Sequence, residues 1–236
     1  MTIDEALRFP GLARADGESM LSALLGQDRA WLLSRPDRSL PEPVADFWPH
    51  AAARLAAGEP TAYVLGKETF LGREFLVDPR VLIPRACTER LVALAEGVLK
   101  DEIGDATLEI DIGVAGVHRR LSTFTPELVI EVGTGSGCIA ASLALLFKNL
   151  HLVATDISQD ALDLAELNFE RLEVRRRIET KRGDLLSPVL DVKVPFLLVS
   201  NPPYVPDSYA FQRSVHAYEP MLALRGRGER GDGILL

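Results

Sequence analysis

Residues 131–137 read EVGTGSG, three glycines at alternate positions directly behind the apolar run ELVI (127–130). Glycine admits backbone turns closed to other residues and leaves room for a ligand against the main chain. The stretch therefore reads as the loop between a buried strand and the apolar helix CIAASLALLF (138–147). Downstream the alternation continues. HLVATD (151–156) and RIETKRGD (177–184) read as strands around the amphipathic helix ALDLAELNFERL (161–172), and VPFLLVS (194–200) reads as a fourth strand. Strands alternating with helices predict right-handed βαβ units and a parallel sheet. The fold class expected is α/β.

Toward the N-terminus the pattern is helical. Thr2 and Glu5 stand at capping-box spacing, and Asp28 is placed to cap AWLLS (30–34) before Pro36. VADFWPHAAARLAA (44–57) carries a longer apolar pattern, which Pro49 is expected to kink or break. TFLGREFLVDPRVLIPR (69–85) switches to aromatic and β-branched residues around Gly72 and predicts a hairpin. Thr88 is expected to cap the helix ERLVALAEGVLK (89–100). The division expected is a helical domain at 1–66, a β-hairpin linker at 67–86 and a ligand-binding domain at 87–236. Within the last, LEIDIGVAG (108–116) imitates the strand-plus-glycine motif but lacks a third glycine and a following apolar helix. The stretch 101–126 is therefore read as an insertion, an added hairpin.

The chain's 236 residues suit one sizeable domain and a small one. A formal charge of −8 argues against a surface built to neutralise phosphates, so no direct nucleic-acid partner is expected. Cys87 and Cys138 are too few for a disulfide scaffold or a cysteine-ligated zinc, and no metal is expected. His50, His118, His151 and His216 show no ligand spacing. MTIDEALRF does not resemble a signal peptide, and CIAASLALLF is far shorter than the roughly 18 apolar residues of a membrane span. A soluble, cytoplasmic monomer is expected.

Three nucleotide classes compete for the glycine loop. A P-loop ends in Gly-Lys-Ser/Thr, which Ser136-Gly137-Cys138 does not supply. A dinucleotide fingerprint wants Gly or Ala where Cys138 stands. Glu131, a carboxylate at the strand end, would repel a pyrophosphate but attract a sulfonium that bears an ammonium group. S-adenosylmethionine fits better. Asp156, ending the next strand, is placed to take ribose hydroxyls. At the end of the fourth strand stands VSNPPY (199–204). Pro202 and Pro203 have no N–H to donate, so this corner is rich in acceptors and poor in donors. Asn201 and the Pro202 carbonyl can accept from an amide or amine NH₂, with the ring of Tyr204 beside them.

EVGTGSG followed by NPPY resembles the class I S-adenosylmethionine-dependent methyltransferases that act on a planar amide or amine nitrogen. ESMLSALLGQDRAWLL (18–33), GEPTAYVLGKETFLGREFLVDPRVLIPRACTERLV (58–92) and AYEPMLALRGRGERGDGILL (217–236) narrow the resemblance to the HemK/PrmC family of glutamine N5-methyltransferases. PRACTE (84–89) departs at Ala86 and Cys87 from the family's Pro-Arg-Pro-Glu-Thr-Glu but retains Arg85, Thr88 and Glu89. The resemblance implies a Rossmann-like class I methyltransferase sheet behind a small helical domain and a hairpin. The implied reaction carries methyl from S-adenosylmethionine to the glutamine of the Gly-Gly-Gln motif in a peptide chain release factor. It also implies catalytic roles for Asn201, Pro202 and Tyr204. Cofactor contacts are implied for Glu131, Gly133, Thr134, Gly135, Ser136, Gly137, Asp156, Ile157, Asp184, Leu185 and Asn201. Substrate contacts fall to Asn201, Pro202, Pro203, Tyr204, Arg85 and Thr88. Glu219 and Pro220 match the family's loop without an assigned role. A ribosomal-protein glutamine methyltransferase, a DNA adenine methyltransferase and a non-catalytic binding remnant are the competing readings. The resembled fold continues beyond a fourth strand, so the chain is expected to be a C-terminally shortened form with that strand as an exposed edge.

Overall fold

The computed structural model describes residues 1–100, 126, 128–211 and 213–226. The segment read as an insertion at 101–126 falls, apart from Pro126, outside them, as do residues 227–236.

Local capping starts the helices of the front domain. Thr2 and Glu5 close a capping box on α1 (Ile3–Leu7), with Thr2 N donating to Glu5 Oε2 at 2.7 Å and Glu5 N to Thr2 Oγ1 at 3.2 Å. After α2 (Arg14–Leu25), Asp28 Oδ1 accepts from Trp31 N at 2.7 Å and starts α3 (Arg29–Leu33). The helix α4 (Glu42–Ala56) continues through Pro49 without the break that is one of the two expectations there. The proline ring lies on the exposed face, while Trp48, Ala51, Ala52 and Leu55 are buried on the other. That packing keeps the turn helical despite the missing N–H. Trp48 Nε1 also donates to Ala6 O at 3.1 Å, locking α4 to α1. A fifth helix, α5 (Thr61–Leu65), leads into the hairpin β1 (Lys67–Phe70) and β2 (Arg73–Leu76).

The next helix, α6 (Ala86–Leu99), begins before Thr88, so that residue does not cap it. Arg85 is extended and its carbonyl already accepts from Thr88 N at 2.9 Å, which closes the first turn upstream. Thr88 is thereby placed inside the helix and 6% exposed.

The remaining strands, β3 (Leu128–Val132), β4 (His151–Asp156), β5 (Ile178–Arg182) and β6 (Phe196–Ser200), form a parallel sheet in the order β5-β4-β3-β6. The helices α7 (Cys138–Leu146) and α8 (Gln159–Arg171) link them. One core joins Val92 and Ala95 of α6, Ile139 and Leu143 of α7 and Phe169 of α8 to the sheet residues Val129, Leu152, Ile178 and Val199. Chain order reverses beside β3, between β4 and β6. This is the switch point at which open parallel sheets leave a crevice. The register pairs Val132 with Ser200, so the residues after both strands leave the sheet side by side. Among the described residues β6 pairs with β3 alone and stands at the sheet's edge, and Leu198 there is 46% exposed.

Asn168 on α8 joins three parts of the fold. Its Oδ1 accepts from Leu76 N at 2.7 Å, and its Nδ2 donates to Leu76 O at 3.0 Å and Ser136 O at 2.9 Å. The side chain thus acts as a neighbouring strand for the hairpin while gripping the glycine loop. It is 1% exposed, so its loss leaves buried backbone groups unpaired. Asn168→Ala should cost about 3 kcal/mol of stability, read by urea denaturation. A change below about 1 kcal/mol would show that water replaces these bonds.

Candidate active site

The glycine loop is shaped by hydrogen bonds to its neighbours. Gly133 N and Thr134 N both donate to Thr155 O at 2.9 Å, and Gly135 N donates to Asp156 Oδ2 at 2.9 Å. Asp156 Oδ1 accepts from Ser158 N at 3.0 Å. Gly133 and Gly135 take positive φ with no atom near where a Cβ would stand, so they open the main chain to a ligand. Gly137 is different. A Cβ there would meet Phe169 Cε1 at 2.4 Å, so this glycine lets α8 approach the loop.

Glu131 sits under the loop, 1% exposed. Its Oε2 accepts from Thr134 Oγ1 at 2.7 Å and from Ala140 N, in α7, at 3.0 Å. Oε1 is buried and has no partner among the described residues. Burial pushes the Glu131 acid up to about 8, against the pull of the bonds from Thr134 and Ala140. The sequence reading treats Glu131 as a charge. In the structure it is a neutral acid near pH 7 until a cation stands beside it. Burial likewise pushes the Cys138 thiol up to about 12, which leaves it a core residue and no nucleophile.

The acceptor corner faces this loop. Ser200 Oγ donates to Val132 O at 2.8 Å, and Asn201 Nδ2 donates to Thr88 Oγ1 at 3.3 Å. The segment before α6 is held by Glu219, which is 5% exposed. Glu219 Oε1 accepts from Arg85 Nη2 at 2.5 Å, and Oε2 accepts from Ile83 N at 3.3 Å.

Between these parts lies a cavity of about 270 Å³. Glu131, Gly133, Thr134, Gly135 and Ser136 line it from β3 and the loop, and Asp156, Ile157, Asp184 and Leu185 from the ends of β4 and β5. Asn201, Pro202 and Pro203 line it from the corner, and Arg85 and Thr88 from the start of α6. Two of the residues expected at the site do not line the cavity. Gly137 packs against Phe169, and Tyr204 stands off the cavity wall, 63% exposed. Sequence reasoning missed the part of Glu219, although the Tyr-Glu-Pro run at 218–220 marked the place. It also missed Arg225 and Ala223, which close the wall beyond Pro220.

The lining fits S-adenosylmethionine. The orphaned, buried Oε1 of Glu131 calls for a cationic or donor group, and the open glycines admit a ligand to the backbone. Ile157 and Leu185, 38% and 41% exposed, offer apolar faces for a flat base. No cluster of metal-ligating side chains exists among the described residues. None of their helices is long and apolar enough to cross a membrane.

A parallel sheet with this loop and corner at its switch point defines a methyltransferase, and comparisons with known proteins agree. The family model described as Methyltransferase small domain matches residues 106–224, and that described as PrmC N-terminal domain matches residues 6–66. The release factor glutamine methyltransferase of Koribacter versatilis (strain Ellin345) is 39% identical over 224 residues, covering 94% of this chain and 71% of that protein. Those of Bacillus subtilis (strain 168) and Bordetella pertussis are 36% and 35% identical, each covered over 76% of its length. This chain belongs to the release factor glutamine methyltransferase family.

The state of Glu131 has a measurable consequence. Its acid titrates near 4.5 when unfolded and near 8 when folded and empty, so the folded form holds the proton between those values. The stability from this group is therefore full below about pH 4.5 and is lost as pH rises through about 8. The stability of the wild type relative to Glu131→Gln should fall between pH 5 and pH 8.5 in denaturant titrations. A difference independent of pH would show that the acid is ionised throughout.

Proposed function

We infer that this chain transfers the methyl group of S-adenosylmethionine to the side-chain amide nitrogen of a glutamine in a peptide chain release factor. The observation that carries the chemistry is the donor-poor corner at the end of β6, facing a cavity whose other wall is built for a cationic nucleoside. Family membership carries the identity of the substrate. Bound in the cavity, S-adenosylmethionine supplies an electrophilic methyl group on a sulfonium.

The protein's own residues have the harder task, because an amide nitrogen donates its lone pair to the neighbouring carbonyl. Asn201 Oδ1 and the Pro202 carbonyl accept the two amide hydrogens and aim the nitrogen. Both acceptors bind more strongly as positive charge grows on nitrogen, which favours the transition state over the bound substrate. Pro203 presents no competing N–H. Tyr204, exposed beyond the wall, offers its ring to the amide plane from outside. No strong base is required, since the alkylated nitrogen is acidic enough to release its extra proton to water. On the cofactor side, Glu131 takes the ammonium group, Asp156 the ribose hydroxyls, and Asp184 with Leu185 the adenine. We read the protein as a cytoplasmic monomer that acts on a protein and not on DNA.

Methyl-labelled S-adenosylmethionine with a release factor tests this reading. Label should pass to the factor and vanish when the glutamine of its Gly-Gly-Gln motif is replaced. Transfer to DNA and not to protein would overturn it in favour of an adenine methyltransferase, and failure to bind either S-adenosylmethionine or its demethylated product would favour a remnant. Asn201→Ala removes one of the two acceptors and should lower kcat by roughly 10²-fold while leaving cofactor affinity near the wild-type value. Asp156→Ala should do the reverse, raising the dissociation constant for S-adenosylmethionine in calorimetric titration by about tenfold or more. An unchanged constant would remove Asp156 from the cofactor's contacts.

A further inference from the structure

We propose that Thr88 is a positioning residue that fixes the side-chain torsion of Asn201, holding the carboxamide with its nitrogen on α6 and its oxygen toward the cavity. The proposal rests on the reading above, in which Asn201 serves as an acceptor. A carboxamide has two ends of nearly equal shape and opposite hydrogen-bonding character. Turned over, Asn201 would set its own NH₂ against the NH₂ of the substrate, donor against donor. The strand cannot prevent this. Pairing of Val132 with Ser200 and the Ser200 Oγ bond to Val132 O place the backbone of the corner, but the side-chain torsion of Asn201 remains open.

Thr88 supplies the missing constraint. Its Oγ1 accepts from Asn201 Nδ2 at 3.3 Å across 113 positions of sequence separation. A hydroxyl serves either end of an amide, so what Thr88 fixes is the torsion; in the bond observed the nitrogen lies on α6 and the oxygen is turned away from it. The two prolines that follow have no N–H, so Thr88 engages the only side-chain donor of the Asn-Pro-Pro run. The hydroxyl is well suited to hold that donor in place. Thr88 is 6% exposed, and its branched Cβ restricts χ1. Its segment is pinned in turn by Glu219, through Arg85 at 2.5 Å and Ile83 N at 3.3 Å. Thr88, expected from the sequence to touch the substrate, thus acts on it through Asn201.

The test uses Thr88→Val, which keeps the shape and removes the hydroxyl, and Thr88→Ser, which keeps the hydroxyl. Thr88→Val should lower kcat about tenfold, as expected for one neutral hydrogen bond, with the dissociation constant for S-adenosylmethionine unchanged. Thr88→Ser should stay within about twofold of wild type. A second readout needs no turnover. Asn149, Asn168 and Asn201 are the asparagines of the chain, so labelling them with ¹⁵N gives side-chain NH₂ signals that Asn201→Ala assigns by subtraction. Solvent exchange of the Asn201 NH₂ should be slow in wild type and Thr88→Ser, and faster in Thr88→Val. Wild-type kcat with unaltered exchange in Thr88→Val would overturn the proposal, as would an equal loss in both variants, which would indicate packing. Should the wild type fail to methylate glutamine, the reading above falls, and the exchange measurement still decides whether Thr88 holds the amide.

Discussion

A carboxyl group buried beneath a glycine loop organises this site. One oxygen of Glu131 is occupied structurally, accepting from the Thr134 hydroxyl and from the Ala140 N–H within α7. Those bonds fix where the loop leaves β3 and where α7 begins. The other oxygen remains buried and unpartnered among the described residues. A buried carboxylate without a counter-charge is costly, and the empty protein avoids that cost by keeping the proton. An ammonium group placed against Oε1 would reverse the balance, so binding of such a cofactor is linked to proton release near neutral pH. The same residue therefore shapes the loop and selects the charge of what enters it.

The opposite wall depends on topology. Chain reversal beside β3 brings the end of β6 next to the end of β3, and parallel register leaves Gly133 and Asn201 as neighbours above the sheet. Neither strand end alone makes a site, since one offers a cofactor cradle and the other an acceptor corner. The segment between hairpin and α6, with the first turn of α6, supplies a third wall through Arg80, Ile83, Arg85 and Thr88. Its attachment is polar and specific: the buried Glu219 carboxylate takes both Arg85 and the Ile83 N–H. The hairpin itself is held by Asn168, which also grips the glycine loop. The hairpin and the segment after it are thus anchored separately, one to the cofactor loop and the other to Glu219.

Much of this was legible in the sequence because the signals are local. Short apolar runs ending in glycine, aspartate or proline marked β3, β4 and β6, and cap residues such as Thr2 and Asp28 marked helix starts. What escaped reading depends on distant partners. Pro49 looks like a break until the burial of Trp48, Ala51 and Ala52 outweighs the lost backbone bond. Thr88 looks like a cap until the Arg85 carbonyl closes the turn ahead of it. Glu219 meets Arg85 across 134 positions, and no periodicity encodes that meeting. Gly137 carries the same letter as Gly133 and Gly135, yet Phe169 stands where its Cβ would be. Composition cannot separate a glycine that admits a ligand from one that admits a helix.

The choice of a carboxamide at position 201 follows from the charges around it. Glu131, Asp156 and Asp184 already bring three acidic side chains to the same end of the sheet. An aspartate at 201 would offer two acceptor oxygens, but it would add a fourth acid to a partly desolvated cavity. Mutual repulsion and burial would then raise the acid's pKa, and a protonated carboxyl is no longer acceptor-only. Asparagine keeps an acceptor of constant character at any pH the protein meets. The drawback of asparagine is its own donor, which must be kept away from the substrate nitrogen. In this fold that donor is directed to the Thr88 hydroxyl, and the residues that follow are prolines with none to offer. The corner is thereby left facing the cavity with acceptors alone.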